Sequence, residues 1–186
     1  MNKLKQFFLL ASLAIFTNAG FAQMEKTVMV GGAAMYPSKN IIQNAVNSKD
    51  HTTLVAAVKA ADLVETLQGA GPFTVFAPTN EAFNALPGGT VDNLVKPENK
   101  KKLTGILTYH VVSGNVSSKA LAKMIKEGNG MATLTTVSGG TLTAMMKGSK
   151  IVLKDAAGGM AMVTIKDVNQ SNGVIHVIDH VLLPKM

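Results

Sequence analysis

The chain has 186 residues, is 47% hydrophobic, carries a formal charge of +7 and contains no cysteine. That composition excludes disulfide staples, thiolate zinc centres and a lipid carried on a cysteine, so apolar burial alone must hold the fold. Two tyrosines and no tryptophan are poor equipment for nucleic acid, whereas the basic excess suits weak attraction to acidic polysaccharide or an anionic surface.

The chain opens with Lys3 and Lys5, an apolar run from Phe7 to Phe16, and Gly20-Phe21-Ala22, a small-x-small site. This order is that of a secretory signal, so residues 1–22 are expected to be removed after Ala22 and the protein to be secreted or periplasmic. The apolar run is too short to span a bilayer, and no later segment has the length, so no transmembrane segment is expected. Loss of Lys3 and Lys5 lowers the charge by two. What remains has the size of one domain, expected to be monomeric.

Residues 23–37 contain Gly31-Gly32 and Pro37 and show no sustained period, as expected of an arm ahead of the domain at 38–186. Ser38 is expected to cap a short helix through Asn47. Thr52 or Thr53 is expected to start a second one, with Leu54, Val55, Val58, Ala61 and Leu63 as its inward stripe. Phe73 to Ala77 alternates like a strand, Pro78 stops it, Thr79 can cap, and Glu81 to Leu86 suits a short helix. Thr90 to Leu107 is helical in pattern, with Pro97 at a first-turn position and Lys100-Lys101-Lys102 on a solvated face.

Tyr109 to Gly114 reads as a strand that ends in a turn. On a strand Tyr109 and His110 point to opposite faces, so His110 is expected in the core and Tyr109 partly exposed. Ser117 or Ser118 caps a further helix with Leu121, Met124 and Ile125 inward. Beyond Gly130 four β-type runs follow, Thr133–Val137, Thr141–Met146, Ile151–Lys154 and Met162–Val168, separated by Gly-rich turns as in antiparallel hairpins. Helices crowd the first half and strands the second, so the fold class is α+β.

The closing stretch, Ser171 to Pro184, holds His176 and His180 with Asp179 beside them. Both alternate sets of its positions are mostly apolar and β-branched, as in a strand buried on two faces, with Asn172-Gly173 as the turn before it. On a strand the two imidazoles stand roughly 13 Å apart, too far for one ion that needs each nitrogen within about 2.1 Å. The histidines are therefore expected to be structural, and no metal or cofactor is expected. Asp179 interrupts an apolar face and calls for a histidine or backbone amide partner, with a bend in the strand at that point.

Three ordered blocks resemble the fasciclin (FAS1) domain family. They are Thr74–Phe83 with Phe76, Ala77, Pro78, Thr79 and Asn80; Tyr109-His110 and the four residues after it; and Asn172-Gly173 with His176 and Asp179, closed by Val181 to Pro184. The resemblance covers about Ser38 to Met186. It implies a wedge or sandwich of short β-strands with a helical layer formed mainly by the N-terminal half. It also implies a role in adhesion or matrix association, through protein or polysaccharide at the cell surface, without cofactor or catalysis. In animal relatives the Tyr-His block is linked to receptor binding; here core support is the expected role.

Enzyme motifs are absent: no Gly-x-Ser-x-Gly, Ser-x-x-Lys, His-Glu-x-x-His, calcium loop or phosphate-cradling glycine run. Small-ligand binding or hydrolysis in a groove between helices and β-wedge is the alternative function. A deep pocket gathering His51, His110 or His180 with a carboxylate would favour it. Met145, Met146, Met160 and Met162 alternate with Ala and Val and are expected to fill core, although thioethers also line adaptable surfaces or bind copper(I).

Overall fold

The computed structural model describes residues 25–185; the expected signal segment lies outside them. Two short strands, β1 (Val28–Val30) and β2 (Ala33–Met35), form a hairpin over residues expected to lack a regular period. Val30 and Met35 are buried, and the Asn44 side chain accepts from the Tyr36 amide and donates to its carbonyl, which ties the hairpin down.

Helix α1 (Ile41–Ala45) is capped not by Ser38 but by Asn40, whose carboxamide accepts from the Gln43 amide while the Gln43 side chain answers the Asn40 amide. This reciprocal box satisfies two orphan donors, which a hydroxyl two residues earlier cannot reach. Ser38 instead donates to Glu25. Helix α2 (Thr52–Ala60) buries Leu54, Ala57 and Val58, and α3 (Val64–Gln68) buries Leu67. Strand β3 (Phe73–Pro78) and helix α4 (Asn80–Asn84) follow, joined by Thr79, whose hydroxyl accepts from the Ala82 amide as its spacing predicts.

The helical stretch from Thr90 is broken into α5 (Thr90–Leu94), a 3₁₀ turn at Pro97–Asn99 and α6 (Lys100–Tyr109). Pro97 has no amide to continue the earlier helix, so it starts the turn instead. Lys100, Lys101 and Lys102 are exposed, and Lys100 pairs with Asp62. Helix α6 runs through Tyr109 and ends at His110, so β4 (Val111–Ser113) is shorter than expected. Helix α7 (Ser118–Glu127) is capped by Ser117 and buries Leu121 and Ile125, but Met124 faces solvent.

Strands β5 (Met131–Thr135), β6 (Thr141–Lys147), β7 (Lys150–Lys154) and β8 (Met160–Gln170) form the expected antiparallel hairpins, and β9 (Gly173–Ile178) follows a tight turn. One seven-stranded sheet results, in the order β4-β3-β9-β8-β7-β6-β5, antiparallel except for the parallel β3–β9 pair. Its two end strands approach each other: Val112 bridges Thr136, and the Val137 amide donates to the Val111 carbonyl at 2.8 Å. The sheet thereby curls into a near-barrel, and the observed class is the expected α+β wedge.

Buried apolar side chains fall on both sides of this sheet. Inside the curl, α7 covers a cluster containing Phe76, Tyr109, Leu142, Leu153 and Ile178. On the other side, the helices from α1 to α6 and the hairpin cover Val75, Ala77, Ile175 and Val177. Strands β3 and β9 lie between the clusters, which is why successive residues of β9 are all buried. A strand covered twice needs apolar side chains at every position, and that is the pattern its sequence carries.

Candidate functional site

The three sequence blocks meet where β3 and β9 pair. In register, Phe76 lies beside His176, and their rings stack with centroids 5.7 Å apart and planes at 25°. His176 is fully buried; its Nε2–H donates to the Val116 carbonyl at 2.9 Å and its Nδ1 accepts from the Asp167 amide at 3.3 Å. Burial lowers its pKa, so the ring is neutral and its tautomer is set by the two backbone partners.

Tyr109 and His110 are both buried, at 0% and 3% exposure, which corrects the expectation that Tyr109 is partly exposed. The cause is local: the pair sits at a helix end, where successive side chains diverge by about 100° rather than alternate, and apolar clusters lie on both sides of the sheet. The Tyr109 hydroxyl donates to the Thr141 carbonyl at 2.6 Å and accepts from the Ala156 amide at 3.0 Å. Burial raises its pKa. Gly140 makes room for the ring, since a Cβ there would lie 2.7 Å from it. His110 donates from Nδ1 to the Ile106 carbonyl at 2.8 Å and accepts at Nε2 from the Leu182 amide at 2.9 Å. Burial pushes its pKa down to about 4.

Asn80 and Asn172 act over distance. The Asn80 carboxamide accepts from the Thr53 amide at 3.0 Å and donates to the Lys49 carbonyl at 2.8 Å, so it serves the first turn of α2, where Thr52 and Thr53 make no cap. Asn172 accepts from the Ile41 amide at 3.0 Å and donates to the Leu67 and Gly69 carbonyls at 2.8 and 2.9 Å. It joins the start of α1 and the end of α3 to the β8–β9 turn. A Cβ on Gly173 would lie 2.0 Å from the Phe73 carbonyl oxygen, so only glycine permits this approach of β9 to β3. Ala77 and Pro78 complete the parallel register with Val177 and Ile178.

Strand β9 ends at Ile178, and His180 lies beyond it with its side chain 59% exposed. Asp179 accepts from the Met162 amide at 2.7 Å and from His180 Nδ1 at 2.9 Å, so the chain leaves the sheet there with both kinds of partner the sequence calls for. Among the described residues no three His, Cys, Asp or Glu side chains cluster as metal ligands would. His51 is buried apart from the others; its Nδ1 meets Ser48 Oγ at 2.9 Å, and its Nε2 lacks a hydrogen-bond partner beside an apolar cavity of about 30 Å³. A second apolar cavity, of about 60 Å³, lies between α1, α2 and the sheet. His110 is on its wall with both ring nitrogens already engaged.

Several buried or half-buried polar groups give no sequence signal. Thr74 donates to the Gly114 carbonyl and accepts from the Val116 amide; Asp155 accepts from the Gly159 and Leu183 amides; Asp167 takes both the amide and the hydroxyl of Ser118. Burial works against the charge of Asp167, yet the Ser118 bonds hold its carboxyl below the usual range. Apart from Gly159, their partners are far along the chain, so a local period does not reveal them. The methionines are also placed differently from expectation: Met146 and Met160 are exposed, and Met131, Met145 and Met162 share the outer sheet face in one cross-strand row with Val152.

Fold and site together define an α+β module whose signature residues are mutually satisfied supports of a curled sheet. The chain belongs to the fasciclin domain family: the Fasciclin domain profile matches residues 49–184. It is 48% identical over 162 residues to Protein sll1483 of Synechocystis sp. (strain ATCC 27184 / PCC 6803 / Kazusa), covering 87% of this chain and 83% of that one. Immunogenic protein MPB70 of Mycobacterium bovis is 37% identical over 145 residues, 75% of this chain and 66% of that protein. Human periostin is 33% identical over 77% of this chain, which matches 16% of periostin. In fold, the chain is similar to a FAS1 domain pair from the insect cell adhesion molecule Fasciclin I, with a TM-score of 0.71 at 18% identity over 86% of this chain and 58% of that one.

Proposed function

We propose that this protein is an exported, non-enzymatic adhesion or surface-interaction module that binds protein or polysaccharide at the cell surface or matrix. One observation carries the reading. The polar atoms of Asn80, Tyr109, His110, Asn172 and His176 are engaged by the protein's own backbone and side chains, which leaves none of them to activate a nucleophile or hold an ion. Catalysis needs a free, aimed group; a rigid scaffold that presents a surface does not. Family membership and the likeness in fold to an insect cell adhesion molecule support the same reading. Export rests on the basic, apolar and small-residue order of residues 1–22.

The test is capture of the mature protein on envelope extract and on a glycan array, with cell fractionation and N-terminal sequencing for export. Saturable binding and a new terminus at Gln23 are the expected results. Binding to neither, with turnover of an ester or glycoside substrate, would overturn the reading in favour of a hydrolase.

A further inference from the structure

A groove of about 380 Å³ opens between the first turns of α7 and strands β6 to β8. Lys119, Lys150 and Lys166 line it together with the hydroxyl residues Ser118, Ser149 and Thr164. All three lysines are exposed, and among the described residues none is in an ion pair. Asp167, next to Lys166, already accepts from the Ser118 amide and hydroxyl. The Ser118 and Ala120 amides at the start of α7 are likewise taken, by Asp167 and by the Ser117 cap, and the groove's formal positive charges are its lysines. Lys147 stands directly across the β6–β7 turn from Lys150, its partner in register. Like charges directly opposite on a sheet repel, and an anion seated between them would relieve that cost.

The floor is different in kind. Met146, Ile151, Val163 and Ala122 give it an apolar base under a ring of charges and hydroxyls. A volume in this range, with an apolar base and a few convergent polar groups, is that of a ligand site. Sugar rings offer the matching combination of an apolar face, hydroxyl edges and, in uronates or sulfated sugars, an anionic substituent.

We propose that this groove binds the anionic sugars of an acidic polysaccharide. The assignment rests on the surface-interaction reading above and names its partner. An anionic lipid surface fits less well, because Met146 is the one exposed large apolar side chain among the residues that line the groove.

The experiment titrates the mature protein at low ionic strength with alginate, with dextran as the neutral control and vesicles of phosphatidylglycerol and phosphatidylcholine as the lipid arm. Two variants of equal charge are compared: Lys119→Gln/Lys150→Gln/Lys166→Gln in the groove and Lys100→Gln/Lys101→Gln/Lys102→Gln on α6. The groove triple should weaken alginate binding about tenfold and the α6 triple less than about twofold, with dextran unbound and the affinity falling as salt rises. Equal losses in the two triples would reduce the effect to net charge and overturn the groove. Binding to vesicles but not to alginate would overturn it in favour of a lipid surface. Wild-type capture on envelope extract by the groove triple would sink the groove while leaving the surface-interaction reading intact, whereas loss of all capture by the wild-type protein would sink that reading itself.

Discussion

His176 stacks on Phe76 across the parallel β3–β9 pair, and the two rings join segments a hundred positions apart in the chain. The stack faces the inside of the curled sheet, while Val75 and Val177 on the same strands face the helices. A neutral, hydrogen-bonded imidazole fits this position where a lysine or carboxylate would not, because burying its polar atoms costs little once both nitrogens have backbone partners. The fold therefore uses histidine as an aromatic with two hydrogen-bonding ends, and the same use recurs at His110.

Stability should fall on mild acidification. Burial lowers the pKa of His51, His110 and His176, so each takes up a proton in the unfolded chain below its ordinary value of 6.5 while staying neutral in the fold. The unfolded state then binds more protons, and stability is lost as pH falls through that value, continuing to about 4 for His110. His110 alone should remove roughly 3 kcal/mol between pH 7 and pH 4. Urea midpoints across that range should drop steeply for the wild type and less steeply for His110→Gln. A flat profile would mean that the imidazoles take up protons in the fold as readily as in the unfolded chain.

Tyr109 separates a structural role from a binding one. Tyr109→Phe removes the hydroxyl that serves Thr141 and Ala156 and leaves the latter amide without its partner. The expected loss is about 1–3 kcal/mol of stability, read by thermal or denaturant unfolding. Capture on envelope extract should be unchanged below the melting temperature, since the ring is fully buried. Weaker capture without weaker folding would place Tyr109 on the interaction surface.

Local patterning made much of this fold readable. Alternation marked β3, the glycine-separated hairpins and the twice-covered β9, with Phe76 and His176 inside their strands, although β9 takes in Gly173, read as part of the turn, and stops at Ile178, short of Asp179 and His180. What it missed depends on distant partners. Tyr109-His110-Val111-Val112 has β-type composition, yet its first residue completes α6 because Leu103, Ile106 and Leu107 pack the helix onto the sheet. Thr53 looks like a cap but is served by Asn80, 27 positions on. Ser38 and Asn40 are both cap-forming types, and only the answering Gln43 side chain decides between them. The groove was invisible because its three lysines come from α7, β7 and β8, and only the sheet register gathers them.

Asn172 should be the costliest single polar site in the closing block. Asn172→Ala deletes three hydrogen bonds at once and leaves the Ile41 amide at the start of α1 unserved. A loss of roughly 2–4 kcal/mol is expected in denaturant unfolding. Asn172→Asp should be no better, because it keeps the acceptor for Ile41 but turns a carboxylate oxygen toward the Leu67 and Gly69 carbonyls. A fully stable Asn172→Asp variant would show that the two carbonyl contacts contribute nothing.

The outward methionines give a prediction about chemistry at the surface. Met29, Met131 and Met160 are more than half exposed, at 59%, 57% and 56%, whereas Met35 is 3% exposed within the helix-side cluster. Dilute hydrogen peroxide transfers one oxygen atom to a thioether sulfur and leaves water, so the rate follows access to the sulfur. Peptide mass spectrometry over a time course should find sulfoxide at Met29, Met131 and Met160 well before Met35, with little loss of thermal stability until the latter reacts. Early oxidation of Met35 would mean that the hairpin of β1 and β2 opens in solution, and protection of Met131 and Met160 would mean that the outer sheet face is covered by a partner.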